Sequence, residues 1–352
     1  MGERGRIEGQ VGLIVVLEAT QAKHQLVRFT RNGLDLIKTD KAAWDPALYV
    51  HESTGTRLAE EMVRRARRTI DSFGAPVDSV AVTLPGTLSG TSTVMRSTRL
   101  GIYSPVNLTE EFHRLNAPPC HVFHDTECLA IGEARQGCLR YDTSVAERRD
   151  SFAYVLADEG IGSSLFVDGR ILRGAGSAGH LGRLVVEPRA AYHQKMVTRG
   201  ALEVFASRPW ISHNIVSEYV AEQGKSDRPI RSNFRSAVAV AATTDWSRLG
   251  IEQIAEGITD RDPIAHTVLD DAARYLGIGL NSLITIANPP SIVLGGALIE
   301  GIESFYEMTV SYARRFTWAL AWSRTRIVRA ELGRRAQLFG AAELLRERLE
   351  EQ

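Results

Sequence analysis

The sequence predicts an α/β protein made of two domains, and three observations lead to that prediction. Its 352 residues exceed the size at which a single hydrophobic core usually continues to grow. Apolar segments typical of strands alternate along the chain with helical segments. No internal repeat and no low-complexity tract interrupts this alternation. We therefore expect two α/β halves with a ligand-binding cleft between them.

The first half of the chain is predicted to combine a meander of strands with helices. Its opening strand is almost continuously apolar, and a Pro85-Gly86 pair ends a later strand. In chain order, the predicted elements are strands at 11–17, 23–29 and 34–38, a helix at 53–73, a strand at 77–84, a helix at 106–115, a strand at 121–123 and a helix at 126–135.

The second half is predicted to begin with another meander. Asp168-Gly169 stands between two apolar runs, as is typical of a hairpin turn. In chain order, the predicted elements are strands at 152–157, 164–167, 171–172 and 184–187, helices at 200–223, 230–242 and 263–286, a strand at 292–294, a helix at 303–316, a strand at 326–329 and a helix at 337–349.

Composition argues against several functional classes. Lys+Arg and Asp+Glu each total 42, so the net charge is zero and gives no electrostatic reason for nucleic-acid or membrane affinity. The basic run at 64–68 is interpreted as a solvated helix face, with a DNA contact as the alternative. No apolar stretch is long enough to span a membrane, and no export signal is visible. Cys120, Cys128 and Cys138 fit neither a zinc ribbon nor a disulfide set, which favours a cytoplasmic protein.

A glycine pattern at 174–179 matches the dinucleotide fingerprint without its structural context. Gly174, Gly176 and Gly179 have the G-x-G-x-x-G spacing, but NAD binding requires these glycines between a strand and a helix, with an acidic residue further along. Here they follow a hairpin and lead into another predicted strand. We interpret the segment as a loop with tight turns.

Several stretches of the sequence form a set when they are taken in chain order. They are Pro85-Gly86, VFHDTECLAIGEARQG at 122–137, DEGIGSSLFVDGRILRGAGSAGHLGRLVVE at 158–187, GALEVFAS at 200–207, ANPPSIVLGGALIEG at 287–301 and AQLFGAA at 336–342. Together they resemble the signature stretches of the ROK family of sugar kinases and sugar-responsive repressors. The resemblance covers the chain from about residue 11 onward.

The resemblance implies a two-domain actin-like ATPase (ribonuclease H-like) fold with an interdomain cleft. It places an N-terminal lobe at 11–135 plus 336–352 and a C-terminal lobe at 136–335. It also implies that Asp125 is the catalytic base, which takes the proton from a sugar hydroxyl as the hydroxyl attacks the γ-phosphate of ATP. The residues alone leave open an alternative, in which Asp125 is only the N-cap of the helix that begins near Thr126.

Further substrate-binding residues follow from the resemblance. Gly86, His124, His180, Arg183 and Glu203 lie at the matching positions. Apart from Asp125, only Glu203 keeps the family's residue type in the sugar site. His124, His180 and Arg183 stand where the family has asparagine, glutamate and histidine. Since a guanidinium suits carboxylate or phosphate, we expect a ligand more acidic than glucose. The alternative is that Arg183 pairs with a nearby acid such as Glu187.

The family's zinc motif is missing from this sequence. Its ligand positions fall on Gln194, Met196, Ala201 and Arg183. Tetrahedral zinc tolerates few non-ligand replacements. We therefore expect no structural zinc, and we expect packing by Tyr192 and Met196 to hold this loop.

The first phosphate loop is altered. In one alignment the family's Asp-x-Gly-Gly-Thr-Lys falls on residues 18–23, so that Glu18 would serve Mg²⁺ and Lys23 would serve phosphate. Another alignment places Thr20 on the threonine and Val16 on the aspartate. Both alignments lose the glycines that allow backbone N–H groups to approach phosphate.

The second phosphate loop and the adenosine segment are better preserved. Gly160 and Gly162 remain, but Glu159 puts negative charge beside the expected triphosphate. Gly295 and Gly296 match the adenosine side, with an ordinary strand end as the alternative.

Two functions remain open from the sequence. The favoured one is an ATP- and Mg²⁺-dependent sugar kinase, and the alternative is a catalytically weak or silent sugar-binding regulator. About ten residues precede the matched region, which argues against a DNA-binding domain in this chain. The resemblance implies a homodimer. The aromatic helix at 316–322 is a candidate interface, with a buried core helix as the alternative.

Overall fold

The computed structural model describes residues 7–18, 21–31, 33–43, 56–140, 151–190, 199–223 and 233–351. The chain forms two compact units. The first contains residues 1–143, 171–178 and 334–352, and the second contains residues 144–170 and 179–333.

The strands are assigned as follows. They are β1 (Val11–Leu17), β2 (Gln21–Thr30), β3 (Gly33–Ala43), β4 (Ser79–Leu84), β5 (Thr87–Ser89), β6 (Thr93–Arg96), β7 (Val106–Asn107), β8 (Cys120–His124), β9 (Phe152–Ala157), β10 (Ile161–Val167), β11 (Arg170–Ile171), β12 (Ser291–Gly295) and β13 (Arg326–Arg329).

The helices are assigned in the same way. They are α1 (Thr56–Phe73), α2 (Leu108–Arg114), α3 (Asp125–Gln136), α4 (Glu203–Ala206), α5 (Arg208–Gln223), α6 (Asn233–Thr243), α7 (Ile251–Thr259), α8 (Pro263–Ala287), α9 (Ala297–Gly301), α10 (Glu303–Phe316), α11 (Ala319–Trp322) and α12 (Arg335–Glu350).

The first unit contains a mixed sheet in the order β3-β2-β1-β4-β8. The β1–β2 and β2–β3 pairs are antiparallel, whereas β1–β4 and β4–β8 are parallel. Every residue of β1 and β4 is buried, as expected for central strands that are covered on both faces. The apolar face of α1 packs into this core, and β5, β6 and β7 form a small separate sheet.

The second unit has a sheet with the same arrangement, in the order β11-β10-β9-β12-β13. Its β9–β10 pair is antiparallel, and the β9–β12 and β12–β13 pairs are parallel. Its core includes much of the long helix α8. The carboxyl ends of the parallel strands meet at one edge in each sheet, and such edges are where open α/β sheets bind ligands.

Two predicted elements differ from the structure. The strand expected at 184–187 is wrong, because Val185 forms only an isolated bridge with Ala201. The helix expected at 200–223 is two helices, with Ser207 extended between them. Pro209 explains the second start, since proline fits the first turn of α5 but would interrupt a continuous helix.

The remaining predicted elements are present, with shifted ends. Residues 53–55 and 230–232 of two predicted helices lie outside the described part of the chain. The small sheet β5–β7 and helices α7 and α9 were not predicted. None of the helices that the structure describes has the length and apolar character needed to cross a bilayer.

Candidate functional site

Five of the candidate positions lie at or just beyond the ends of parallel strands. In the first unit, Glu18 follows β1, Gly86 lies two residues after β4, and Asp125 directly follows β8. In the second unit, Asp158 follows β9 and Gly296 follows β12. Parallel pairing brings the strand ends of each sheet to a common edge.

Asp125 is the first residue of α3, and His124 occupies the N-cap position. The alternative in which Asp125 is itself the N-cap is therefore wrong. Its Oδ1 accepts the Thr126 N–H at 2.7 Å and lies 3.0 Å from His124 Nδ1. His124 Nδ1 also lies 2.7 Å from the Thr126 hydroxyl oxygen. The Asp125 side chain is 14% exposed, so it is mostly buried but still open to solvent.

Cationic neighbours keep the Asp125 carboxylate ionised. Burial favours its neutral form, but His124, then Arg99 and one backbone N–H, outweigh burial and hold the pKa of Asp125 below its usual range. Burial lowers the pKa of His124, but Asp125, Glu127 and the Gly86 backbone outweigh this effect and raise that pKa. The carboxylate and the imidazole thus stabilise each other's charged forms.

The Gly86 backbone is hydrogen-bonded to the His124 side chain, and the Pro85-Gly86 turn also packs closely on the chain around Arg96. A Cβ atom at Gly86 would lie 2.6 Å from the Arg96 carbonyl oxygen, so no larger residue fits without a shift. The Ser97 hydroxyl donates to the Pro85 carbonyl at 2.5 Å. The loop that carries Arg99 therefore begins at a fixed point beside Gly86.

A second carboxylate on α3 binds the glycine-rich loop. The Arg173 Nε and Nη2 donate to the two carboxylate oxygens of Glu127 at 2.9 and 3.0 Å. Three residues later, a Cβ at Gly176 would lie 2.3 Å from the Leu88 carbonyl oxygen. The first part of the glycine pattern thus packs on the first unit, and it does not form a dinucleotide-binding turn between a strand and a helix.

The other predicted sugar-binding residues lie in the second unit. Gly179 accepts hydrogen bonds from the backbone and the hydroxyl of Ser163, at 2.8 and 2.9 Å. His180 is the N-cap of a single 3-10 turn, and Arg183 is the last residue of that turn. The Glu203 carboxylate accepts the Ile161 N–H at 3.2 Å. Glu203 therefore also holds the start of β10, a role that its sequence position did not reveal.

The carboxylate at the first phosphate loop has an arginine partner. Arg334 Nη1 lies 3.0 Å from Glu18 Oε1, and the Gln21 amide donates to the other carboxylate oxygen. Lys23 lies within β2, opposite Val16. Residues 19 and 20, which include Thr20 of the alternative alignment, lie outside the described part of the chain.

The second phosphate loop is a short connection between β9 and β10. The Asp158 carboxylate accepts the Glu159 N–H at 2.9 Å. Arg208 Nε donates to the Glu159 carboxylate at 2.6 Å. The backbone N–H of Arg208 donates to the Asp158 carbonyl at 2.9 Å. The sequence shows Glu159 at this position, but sequence patterns did not identify Arg208 as the residue that pairs with it.

The Gly295-Gly296 segment is tightly packed. A Cβ at Gly295 would lie 2.1 Å from the Tyr154 hydroxyl, and one at Gly296 would lie 2.5 Å from the Ala157 carbonyl. Gly296 has φ +101°, which favours glycine. The Gly296 N–H donates to the Glu300 carboxylate at 3.2 Å. These contacts give both glycines a packing role, whatever ligand they meet.

The positions of the family's zinc ligands are only partly described. Residues 191–198, with Tyr192, Gln194 and Met196, lie outside the described part of the chain. Within the described ranges, no group of three His, Cys, Asp or Glu side chains could hold a metal ion. The expectation of no structural zinc stays a prediction.

Four arginines beside the candidate residues were missed by sequence reasoning. Arg173 alone had a usable signal, because it directly precedes the glycine pattern at 174–179. The others lie far along the chain from the acids they meet, so local patterns could not pair them. They are Arg99, Arg173, Arg208 and Arg334.

Comparison with known families gives one match over most of the chain, to the model described as ROK family, over residues 47–348. A glucokinase of Halalkalibacterium halodurans is 23% identical over 65% of this chain and 64% of its own. The Escherichia coli DNA-binding transcriptional dual regulator NagC is 25% identical over 82% of this chain and 66% of its own. The chain thus spans slightly less than two thirds of the length of these curated relatives.

Solved structures support the same fold. A ROK family transcriptional regulator, described as a homologue of the E. coli MLC protein, has a TM-score of 0.77 at 22% identity, covering 98% of this chain and 79% of its own. A Streptomyces griseus ROK family glucokinase, solved with glucose and AMPPNP, has a TM-score of 0.70 at 22% identity, covering 96% and 99%. The predicted α/β actin-like ATPase fold is confirmed.

Proposed function

Because the chain belongs to the ROK family, we propose that it binds a sugar or sugar-like ligand at Asp125 and transfers phosphate weakly or not at all. One observation carries this proposal. The acids at the two phosphate-loop positions, Glu18 and Glu159, are each held in an ion pair, with Arg334 and Arg208 respectively. The predicted function as an active kinase becomes the second candidate.

The ion pairs oppose binding of a triphosphate. Glu159 places a carboxylate beside the expected triphosphate, and its ion pair with Arg208 occupies the guanidinium that could otherwise bind a phosphate oxygen. The N–H groups that would offset this negative charge already have acceptors, since Asp158 receives the Glu159 N–H and Glu300 receives the Gly296 N–H. Nucleotide binding would require these local contacts to break.

The Asp125 region favours binding of a hydroxyl-rich ligand. An ionised carboxylate accepts strong hydrogen bonds from hydroxyl groups. Arg99 and His124 add cationic character beside Asp125, so we expect sugar acids or phosphosugars to bind better than neutral sugars. His180, Arg183 and Glu203 of the second unit remain predicted ligand contacts.

The kinase candidate rests on the state of Asp125. A carboxylate that is ionised near neutral pH can accept the proton of an attacking hydroxyl. In that case Glu18 and Lys23 would serve Mg²⁺ and phosphate, and Gly160, Gly162, Gly295 and Gly296 would line the nucleotide. Bound Mg²⁺ would supply charge neutralisation at the triphosphate, and Glu18 would first have to release Arg334.

Thermal denaturation with added ligands tests the proposal. The ligands are Mg-ATP, glucose, N-acetylglucosamine, gluconate and glucose 6-phosphate. We expect at least one sugar compound to raise Tm by several degrees, because a ligand that binds only the native state stabilises it. We expect Mg-ATP to leave Tm unchanged. Asp125→Asn should weaken sugar binding at least tenfold, whereas Asp168→Asn, in the exposed hairpin turn, should not.

A coupled assay for ADP formation separates the two candidates. ADP production that depends on the sugar compound and disappears in Asp125→Asn would establish the kinase and reject the silent regulator. If no sugar compound binds, both candidates fail at this site.

Three further expectations belong to the proposal. The lobe boundaries inferred from the sequence and the cytoplasmic location remain predictions. The homodimer is also proposed, since Phe316, Trp318 and Leu320 of the candidate interface expose 38%, 71% and 48% of their surfaces.

A further inference from the structure

The loop 171–178 has an unusual position in the fold. The chain before and after it belongs to the second unit, but the loop itself belongs to the first. Inside the loop, the Gly176 and Ala178 N–H groups donate to the Arg173 carbonyl at 2.8 and 3.4 Å. Gly174 and Gly176 both have positive φ. The loop is therefore a compact turn that starts at Arg173.

Two contacts anchor this turn to the first unit. One is the close packing of Gly176 on the Leu88 carbonyl, and the other is the two-bond ion pair between Arg173 and Glu127. The Glu127 side chain is only 12% exposed, whereas that of Arg173 is 36% exposed. Parallel bonds between a guanidinium and a carboxylate fix orientation as well as distance.

Glu127 also stands two residues after Asp125 in the first turn of α3. Without a cation, two carboxylates in one half-buried turn would repel each other. Arg173 neutralises the Glu127 carboxylate. The Asp125 carboxylate then interacts with His124 and stays available to a ligand. The Arg173 side chain therefore acts on two segments, because it holds its own loop in place and neutralises the charge beside Asp125 in the first turn of α3.

We propose that Arg173 is a positioning residue, which through Glu127 anchors loop 171–178 and orients the Asp125 turn for ligand binding. Its effect on ligand affinity rests on the proposed function. Its anchoring of the loop does not, because the ion pair exists without a ligand. The family match assigns no role to this pair.

Amide hydrogen exchange in the absence of ligand tests the anchoring. Arg173→Gln and Glu127→Gln should each speed exchange at Gly176 and Ala178 about tenfold. The double variant should show no further increase, because both substitutions remove the same pair. Reversing the pair, with Arg173→Glu and Glu127→Arg together, should restore slow exchange. Unchanged exchange in Arg173→Gln would overturn the proposal.

Ligand affinity tests the positioning. With whichever of the four sugar compounds raises Tm most, Arg173→Gln should increase Kd about tenfold. Arg173→Lys keeps the charge but loses the paired bonds, so it should recover part of the affinity. Arg170→Gln, at an exposed site in the neighbouring hairpin, is the control and should bind like wild type.

The two readouts fail in different ways. Faster exchange with an unchanged Kd would overturn the positioning role, even though the anchor exists. If none of the four compounds binds the wild type, the proposed function fails, and the exchange result alone decides whether Arg173 anchors the loop. A fold defect would appear as a large loss of Tm in Arg173→Lys, which we do not expect for a partly exposed side chain.

Discussion

At the scale of single residues, the acids near the strand ends are defined by their cationic partners. Asp125 meets His124, Glu127 meets Arg173, and the two phosphate-loop acids each meet an arginine. A cationic partner holds a carboxylate in its ionised form and weakens its attraction for a metal ion or another cation. The sequence showed the acids, but their chemistry depends on partners from distant parts of the chain.

A buried histidine in the first unit leads to a prediction about pH. His24 is 3% exposed, and its Nδ1 lies 2.7 Å from the Thr69 hydroxyl oxygen. Burial is the main cause that lowers its pKa to about 4, with a smaller opposing effect of Asp40 and a smaller reinforcing effect of Arg65. The folded protein therefore keeps this ring neutral.

Unfolded histidine titrates near 6.5, so the unfolded state binds more protons below that pH. His24 therefore makes its full contribution to the free energy of unfolding above about pH 6.5. That contribution, roughly 3 kcal/mol in total, is lost as the pH falls toward about 4. Urea denaturation at about pH 7.5 and about pH 5 measures it. His24→Gln should be less stable at the higher pH and should lose less stability on acidification. An equal loss in both proteins would show that His24 is not responsible.

At the scale of elements, local signals predicted the long helices well. For α8, Asp262 caps the first turn by accepting two N–H groups, and Asn288 ends the helix in a left-handed conformation. The missed helix α7 had a signal, since Ile251, Ile254 and Ile258 follow helical spacing. The short strands β5–β7 had none, because two to four residues carry little periodicity.

Where α3 and α12 pack together, we predict that replacing a helical glycine by alanine destabilises the protein, which is the opposite of what helix propensity alone would give. A Cβ at Gly340 would lie 1.7 Å from the Cys128 carbonyl oxygen, and one at Gly132 would lie 2.0 Å from the Ala336 carbonyl oxygen. In an open helix, alanine is more favourable than glycine by about 1 kcal/mol. Here the contacting atoms are backbone, so Gly340→Ala should destabilise the protein by about 3 kcal/mol.

Urea denaturation at neutral pH measures this change. Gly33→Ala is the matched control, since a Cβ there would have no neighbour within 4 Å, and it should change stability by less than about 1 kcal/mol. A neutral or stabilising Gly340→Ala would mean that the two helices do not pack this closely.

At the scale of the whole molecule, the two units contain sheets with the same strand order and the same change from antiparallel to parallel pairing. The alternation along the sequence predicted two α/β halves. It did not predict the strand order, because order depends on which distant strands pair. The family resemblance added the actin-like fold, and the structural comparisons confirmed it.

The balanced charge of the molecule gives a further prediction. With 42 basic and 42 acidic residues, the 352-residue chain has a pI of about 7.1. Proteins are least soluble near zero net charge, and polyanion binding requires a net basic surface. We expect a solubility minimum near neutral pH and no retention on heparin at about 0.15 M salt. Retention that falls as salt rises would contradict this prediction. It would indicate a basic surface and would favour the alternative that the basic run at 64–68 on α1 contacts DNA.

The sequence alone determined the α/β class, most helices and strands, and the placement of Asp125 at the start of a helix after a strand. Such features arise from periodicity, capping and turn residues, which act over a few positions. Only the tertiary structure decided that arginines hold Glu18, Glu127 and Glu159, and that Glu203 supports β10. Charge pairing and hydrogen bonding depend on distance in space, and the fold alone brings those residues together.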